Sequence, residues 1–172
     1  MSVKMILTEP NKLLRQVSKS VEEVGDEERK LMDDMLDTMY DAPGIGLAAV
    51  QIGVPKRIIV MDISRDENKK EPRYFVNPII KNRNQQKVKY EEGCLSVPDQ
   101  FAEIERSNTC EVEYLDYKGK KQLLKADGLL ATCIQHEMDH LEGILFIDYL
   151  SKLKRSMIIK KLSKNKVNRE IF

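Results

Sequence analysis

Residues 129–141 constrain the fold more than any other part of the chain. They have the length of a helix, end just before Gly143, and carry apolar residues on most faces. Such a helix has to be covered by other elements, so we expect it in the middle of the domain. Segments 57–63, 74–80, 88–92, 103–117 and 121–124 read as strands. The sequence therefore predicts an α+β fold with antiparallel β-sheets packed around a central helix.

The same helix carries both histidines of the protein, His136 and His140, four residues apart. On an α-helix this spacing places the two imidazoles on one face, where they can bind one metal ion. Glu137 lies between them, close enough to act on a water that the ion activates. Two surface histidines and a chance glutamate would give the same pattern, so the third ligand decides between these interpretations.

A catalytic site of this kind takes three protein ligands and keeps one position for water. The chain has no further histidine, and Glu170 is the only glutamate after Glu142. A thiolate from one of the cysteines is therefore the obvious third donor.

The three cysteines differ in their access to the histidine pair. Cys133 shares the helix but lies roughly 10 Å along its axis from His140. Cys110 stands in an alternating run that is typical of the inward face of a strand. Cys94 follows Gly93 in a turn at a strand end, where it can approach the helix from another element. A small buried apolar side chain is the alternative interpretation of Cys94.

Three motifs resemble the signatures of the peptide deformylase family. They are Gly44-Ile45-Gly46-Leu47-Ala48-Ala49-Val50-Gln51, Glu92-Gly93-Cys94-Leu95-Ser96 and Gln135-His136-Glu137-Met138-Asp139-His140. They occur in the family's order, and the similarity extends over nearly the whole chain. The resemblance implies a metal-dependent hydrolase that removes the formyl group from the N-terminal formylmethionine of newly synthesised proteins and releases formate.

The resemblance also implies a role for each site residue. The metal ligands are Cys94, His136 and His140. Glu137 transfers protons, and the oxyanion is stabilised by the metal, the Gln51 side-chain amide and the Leu95 backbone N–H. Ferrous iron is the family's usual ion, and zinc, nickel or cobalt can substitute for it.

The implied substrate-binding residues are Ile45, Gly46, Glu92, Gly93, Arg106, Leu129 and Cys133. Backbone groups of Ile45 and Gly46 are expected to pair with the substrate, and Arg106 to meet its backbone. Two positions depart from the family patterns: Thr132 stands where a larger aliphatic residue is common, and Phe101 stands where some members carry arginine.

Three alternatives arise from the same motifs. Residues 44–49 fit a dinucleotide-binding fingerprint, but a helix precedes them and Pro55 interrupts soon after, so we reject it. A metallopeptidase with the same helix motif would cleave internal peptide bonds. A non-catalytic ribosome-binding protein with a structural metal would need a fourth protein ligand, for which the sequence offers no convincing candidate.

At 172 residues the chain is expected to form a single catalytic domain, 1–172. No apolar run reaches membrane-spanning length, and the N-terminus shows no signal- or transit-peptide pattern. Three cysteines do not make a disulfide framework, which favours a reducing compartment. Together these features lead us to expect a cytoplasmic protein with no membrane contact.

The C-terminal residues 151–172 are expected to form a basic amphipathic helix. Residues 149–172 contain eight Lys/Arg and one Glu, a charge of +7 within a total of +1, so the remainder carries −6. Its predicted packing side contains Leu153, Met157, Ile158 and Leu162. The cationic side suggests contact with ribosomal RNA, by resemblance to some bacterial members of the family.

A second helix is predicted over residues 27–40, with Asp26 as its N-cap. Its predicted buried stripe is Leu31, Met32, Met35, Leu36 and Met39. Methionines at helical spacing indicate core packing rather than metal ligation.

Overall fold

The computed structural model describes residues 2–64, 66 and 68–170, and within them the chain forms three α-helices and seven strands. The helices are α1 (Asp26–Asp41), α2 (Gly128–Leu141) and α3 (Lys152–Glu170). The strands are β1 (Gly46–Ala48), β2 (Ile58–Met61), β3 (Arg73–Arg83), β4 (Lys87–Cys94), β5 (Val97–Ser107), β6 (Thr109–Leu115) and β7 (Lys121–Asp127). Short 3-10 helices span Lys12–Arg15, Ala49–Ile52 and Phe146–Tyr149.

The strands form two antiparallel sheets, which confirms the predicted α+β class. The larger sheet has the order β1-β2-β3-β6-β7, and β4 pairs with β5 as a separate hairpin. Helix α2 covers the larger sheet, because its Ala131, Ile134 and Leu141 pack in one buried cluster with Ile59 and Phe75 of the strands. The motif-bearing helix is therefore central and buried, as predicted.

Helix α1 packs on the opposite side of the larger sheet through its methionines. Met32, Met35 and Met39 are fully buried in a cluster with residues of β1 and β2, so the predicted stripe is confirmed. The predicted N-cap is wrong by one residue. Gly25 caps the helix, and its backbone N–H donates to the Glu28 carboxylate at 3.1 Å, which leaves Asp26 as the first helical residue.

Segment 103–117 contains parts of two strands where the sequence predicted one. Strand β5 ends at Ser107 in the hairpin, and β6 begins at Thr109 in the larger sheet. Asn108 lies between them, and its backbone N–H donates to the Gln86 carbonyl at 2.9 Å. The alternation of side chains continues across this break, so the pattern alone does not reveal that the chain changes sheets.

Only half of the predicted packing side of α3 is buried. Ile158 and Leu162 pack with Val97, Ile104 and Phe146, whereas Leu153 and Met157 are 72% and 51% exposed. Around the helix, the pair 153 and 157 is centred about 140° from the pair 158 and 162, so the two pairs cannot both face the same neighbour. The expectation of one continuous packing stripe is therefore corrected.

All three cysteines are free thiols, and the sequence predicted no disulfide framework. Among the described residues, no helix has both the length and the apolar content needed to cross a membrane.

A buried carboxylate on α1 anchors the N-terminal segment. Asp34 accepts hydrogen bonds from the Ser2 backbone N–H at 2.8 Å and from Lys30 Nζ at 2.9 Å. The hydrogen bond from Lys30 lowers the pKa of Asp34 to about 2, although burial opposes the shift.

We expect Asp34→Asn to reduce the free energy of unfolding by about 1–2 kcal/mol near neutral pH, because it removes a charge-assisted hydrogen bond. The folded-state pKa lies below the ordinary value, so this contribution is complete above about pH 4 and is lost as the pH falls towards 2. Urea titrations across that range measure the difference between wild type and variant. A difference that stays constant with pH would contradict the prediction. The control is Asp26→Asn, whose side chain is fully exposed.

Candidate metal centre and substrate cleft

The fold brings Cys94, His136 and His140 to one place. The two imidazoles project from α2 with ring centroids 5.0 Å apart, and both side chains are buried. Cys94 ends β4, and its Sγ lies 3.3 Å from His140 Nε2. The three donor atoms all lie within 4.8 Å of one another. One sulfur and two imidazole nitrogens at this separation fit a single divalent ion.

The Gln51 side chain is oriented towards this donor set. Its Oε1 accepts the backbone N–H of Ala48 at 2.8 Å, so the amide group cannot turn over without losing a buried hydrogen bond. Its Nε2 donates to Ser96 Oγ at 3.0 Å and lies 3.7 Å from Cys94 Sγ. Ser96 is a site residue that the sequence analysis did not assign, although it belongs to the same motif as Cys94.

Glu137 is buried beside the ligands. Burial raises the pKa of its carboxyl group to about 7; His136 opposes this shift and Glu92 adds to it. Its Oε2 has no hydrogen-bond partner among the described residues. A carboxylate that exchanges a proton near neutral pH is suited to general acid–base chemistry.

Behind His136 lies a buried chain of charged groups. Glu92 Oε2 lies 2.9 Å from His136 Nδ1, and Arg106 Nη2 donates to the same carboxylate oxygen at 2.9 Å. Arg106 Nη1 donates to Asp139 Oδ2 at 2.9 Å, and the Tyr149 hydroxyl donates to that oxygen at 2.8 Å. Burial alone would raise the pKa of Glu92, but the hydrogen bonds with His136 and Arg106 lower it. Glu92 therefore remains an acceptor for the imidazole and fixes its orientation.

Arg106 lies in this buried chain of contacts and not beside the expected substrate path. Its guanidinium is 6% exposed and is occupied by Glu92 and Asp139. It does not line the cleft, so its placement does not suit the predicted contact with substrate backbone. Asp139 and Tyr149 were missed by the sequence analysis. The only available signal was an acidic residue inside the histidine motif.

A cavity of about 470 Å³ opens beside the donor set. The other predicted substrate-binding residues all line it: Ile45, Gly46, Glu92, Gly93, Leu129 and Cys133. Thr132 belongs to the same wall, and Phe101 stands at the opening. Cys133 Sγ lies 3.9 Å from the Ile45 carbonyl oxygen, so the thiol faces the cleft rather than the ion ligands.

One wall of the cleft is a sheet edge. Strand β1 pairs with β2 alone and is the edge strand of the larger sheet. An edge strand offers unpaired backbone groups to an extended peptide. Gly46 begins β1, and its position suits the backbone pairing that the sequence analysis expected. The carbonyl of Ile45, the residue before it, already accepts the Asp62 N–H at 2.9 Å.

A thiolate and two imidazoles beside a buried carboxylate, at the end of a cleft walled by a sheet edge, define a metal-dependent hydrolase that acts on peptides. The family model for polypeptide deformylase matches residues 3–156. The chain belongs to the polypeptide deformylase family.

Individual relatives agree with this assignment. The peptide deformylase of Pelagibacter ubique is 87% identical over 171 residues, which cover 99% of each chain. The crystal structure of a Legionella pneumophila peptide deformylase superposes with a TM-score of 0.92 at 44% identity, covering 98% of each chain. The Ehrlichia chaffeensis enzyme in complex with actinonin has a TM-score of 0.90 at 49% identity, covering 96% of this chain and 98% of that one. The predicted activity, hydrolytic removal of N-terminal formyl groups with a divalent metal, is confirmed, and the metallopeptidase and non-catalytic alternatives are set aside.

Gly46 leaves the space that Glu137 occupies. A Cβ atom at residue 46 would lie 2.5 Å from Glu137 Oε1 and 3.1 Å from Cys133 Sγ. We expect Gly46→Ala to lower kcat for formate release by about 100-fold, because the carboxylate must move away from the reacting atoms. Metal content measured on the same sample should stay at the wild-type level. Gly25→Ala is the matched control, since a Cβ there meets only ordinary contacts. Wild-type turnover by Gly46→Ala would show that the close packing is not needed.

Glu92→Gln tests the orientation of His136. An amide is a weaker hydrogen-bond acceptor than a carboxylate and leaves the buried Arg106 with Asp139 as its one remaining acidic partner among the described residues, so we expect metal affinity to fall about 10- to 100-fold. Competition with a chelator measures the affinity without reference to activity. Glu103→Gln on the neighbouring strand is the control, because that side chain is exposed and pairs only weakly with Lys89. Equal affinity for wild type and Glu92→Gln would contradict the assigned role.

Proposed function

We propose that Cys94, His136 and His140 bind one divalent ion, ferrous iron in the working enzyme, and that the substrates are nascent N-formylmethionyl peptides. The supporting observation is the convergence of these three donor atoms within 4.8 Å at the end of the cleft. When bound, the ion supplies Lewis-acid polarisation of the formyl oxygen and lowers the pKa of a water molecule. Zinc, nickel and cobalt accept the same donor set and are expected to substitute with altered activity.

Glu137 transfers the proton in this proposal. It accepts a proton from the attacking water and delivers it to the amine that leaves with the peptide. Its burial supports the role, because a pKa raised to about 7 lets the carboxyl group both accept and release a proton. Gly46 keeps space for the group against β1.

Two donors stabilise the negative charge that develops on the formyl oxygen. The Gln51 Nε2 is directed towards Cys94 by the hydrogen bonds of its amide, so it is preorganised before the substrate arrives. The backbone N–H of Leu95, the residue after Cys94, is the second donor. Leu95 follows Cys94 directly in the chain, whereas Gln51 belongs to the 3-10 helix Ala49–Ile52 and approaches Cys94 through its side chain.

The peptide lies extended along β1. Ile45 and Gly46 pair with its backbone. The methionine side chain occupies the part of the cavity that is lined by Leu129 and Cys133, next to Glu92 and Gly93. Arg106 is a positioning residue in this scheme: it holds Glu92, and Glu92 holds His136.

The working enzyme is proposed to be a single catalytic domain, 1–172, in the cytoplasm, with α3 in contact with ribosomal RNA. The exposed cations of α3 include Lys154, Lys160, Lys161 and Lys164. Leu153 and Met157 are exposed on the same helix, so α3 presents both charge and apolar area to a partner.

Two substitutions separate metal binding from proton transfer. Glu137→Gln should retain the ion and lower kcat at least about 100-fold, since it removes the general base. Cys94→Ala should not retain the ion. Formate release from formyl-Met peptides, with anaerobic iron loading and metal analysis, measures both effects, and Cys110→Ala is a matched thiol control outside the cleft. Near-wild-type turnover by Glu137→Gln, or full metal content in Cys94→Ala, would contradict the roles proposed here.

Charge substitution tests the ribosome contact without removing α3, whose Ile158 and Leu162 belong to a buried cluster. We expect Lys160→Glu, Lys161→Glu and Lys164→Glu together to abolish co-sedimentation with ribosomes, and wild-type binding to weaken as salt is raised. Deformylation of free peptides should not change. Unaltered co-sedimentation of the triple variant would overturn the proposed contact.

A further inference from the structure

Phe101 is a large apolar side chain held in an exposed position at the opening of the cleft. It is 64% exposed and lines the cavity. It stands opposite Gly93 in the β4–β5 register, and a Cβ atom at residue 93 would lie 2.6 Å from Phe101 Cε1. The ring therefore packs against the Gly93 backbone, which seats it one residue away from the metal ligand Cys94.

Two carboxylates lie on the face of the hairpin that carries Phe101, at the end nearest to the ring. Glu91 and Glu103 pair in register on this face, two residues from Gly93 and Phe101 respectively. Glu103 forms an ion pair with Lys89 at 3.7 Å, whereas Glu91 lines the cavity. None of the described cavity-lining residues is lysine or arginine. An aromatic ring and a carboxylate thus stand together at the opening with no cation of the protein between them and the cleft.

We propose that Phe101 and Glu91 favour a lysine or arginine in the residue that follows the substrate's methionine. The placement of the methionine rests on the proposed function. Successive side chains of an extended peptide point to opposite sides. When the methionine side chain packs against Leu129 and Cys133 inside the cavity, the side chain of the next residue points towards the opening of the cleft.

Phe101 and Glu91 recognise different parts of such a side chain. The apolar stem of lysine or arginine packs on the Phe101 ring, and the cation lies over or beside the ring face. The Glu91 carboxylate attracts the cation from the adjacent strand and repels an acidic side chain. Glu91 is exposed, so salt weakens its electrostatic attraction for the cation. The packing of the side-chain stem on the Phe101 ring does not depend on salt in this way.

The test compares formyl-Met-Lys-Ser, formyl-Met-Ala-Ser and formyl-Met-Glu-Ser as substrates of the iron-loaded full-length protein. We expect kcat/KM to be about three- to tenfold higher for the lysine peptide than for the glutamate peptide, mainly through KM.

Phe101→Leu keeps an apolar side chain without an aromatic face and should reduce the preference for lysine over alanine. Glu91→Gln should reduce the lysine-to-glutamate ratio and remove its dependence on salt. Glu103→Gln, on the same face but outside the cavity lining, should leave both ratios at their wild-type values.

A wild-type ratio near one, or an unchanged ratio in both Phe101→Leu and Glu91→Gln, would overturn the inference. A lysine preference that appears only with formyl-Met-Ser-Lys would also overturn it, because the selected residue would then be the third. If no formylated peptide releases formate, the proposed function fails instead. Calorimetry with the product peptides Met-Lys-Ser and Met-Glu-Ser then decides the matter without turnover, and equal affinities would overturn the selection of a cation.

Discussion

The structure depends on a buried carboxylate shared by an imidazole and a guanidinium. Glu92 would be costly to bury alone, and so would Arg106, but each satisfies the other within the same hairpin. The pair also fixes His136 on α2, which is otherwise an apolar core helix. Removing either partner would leave the other with one remaining polar side-chain partner among the described residues, Asp139 for Arg106 and His136 for Glu92. The orientation of His136 and the burial of Arg106 therefore rest on the same carboxylate.

The cleft arises where three elements meet with little space between them. Helix α2 supplies the two histidines, β4 supplies the thiol from the hairpin, and β1 supplies a sheet edge. Gly46 allows the edge strand to approach Glu137, and Gly93 allows Phe101 to cover the hairpin backbone. In both places the missing side chain creates room for a group that lines the cavity.

The sequence predicted the elements whose signals are local. The apolar faces of α2, the methionine stripe of α1 and the alternating strands are all present because burial sets those patterns. The change of sheet at Asn108 was not predictable, since alternation continues through it. The pairing of Arg106 with Glu92 joins side chains 14 positions apart across the β4–β5 hairpin, which no local pattern specifies. The exposure of Leu153 and Met157 follows from what α3 packs against rather than from its own sequence.

Above all, we propose that one sulfur and two imidazoles, from Cys94, His136 and His140, bind a single ion. X-ray absorption at the zinc edge of the zinc-substituted protein reads this donor set directly. We expect one sulfur at about 2.3 Å, two imidazole nitrogens at about 2.0–2.1 Å and one further light atom from solvent. A shell of nitrogen and oxygen without sulfur, or one filled by four protein side chains, would contradict a hydrolytic centre built from Cys94, His136 and His140.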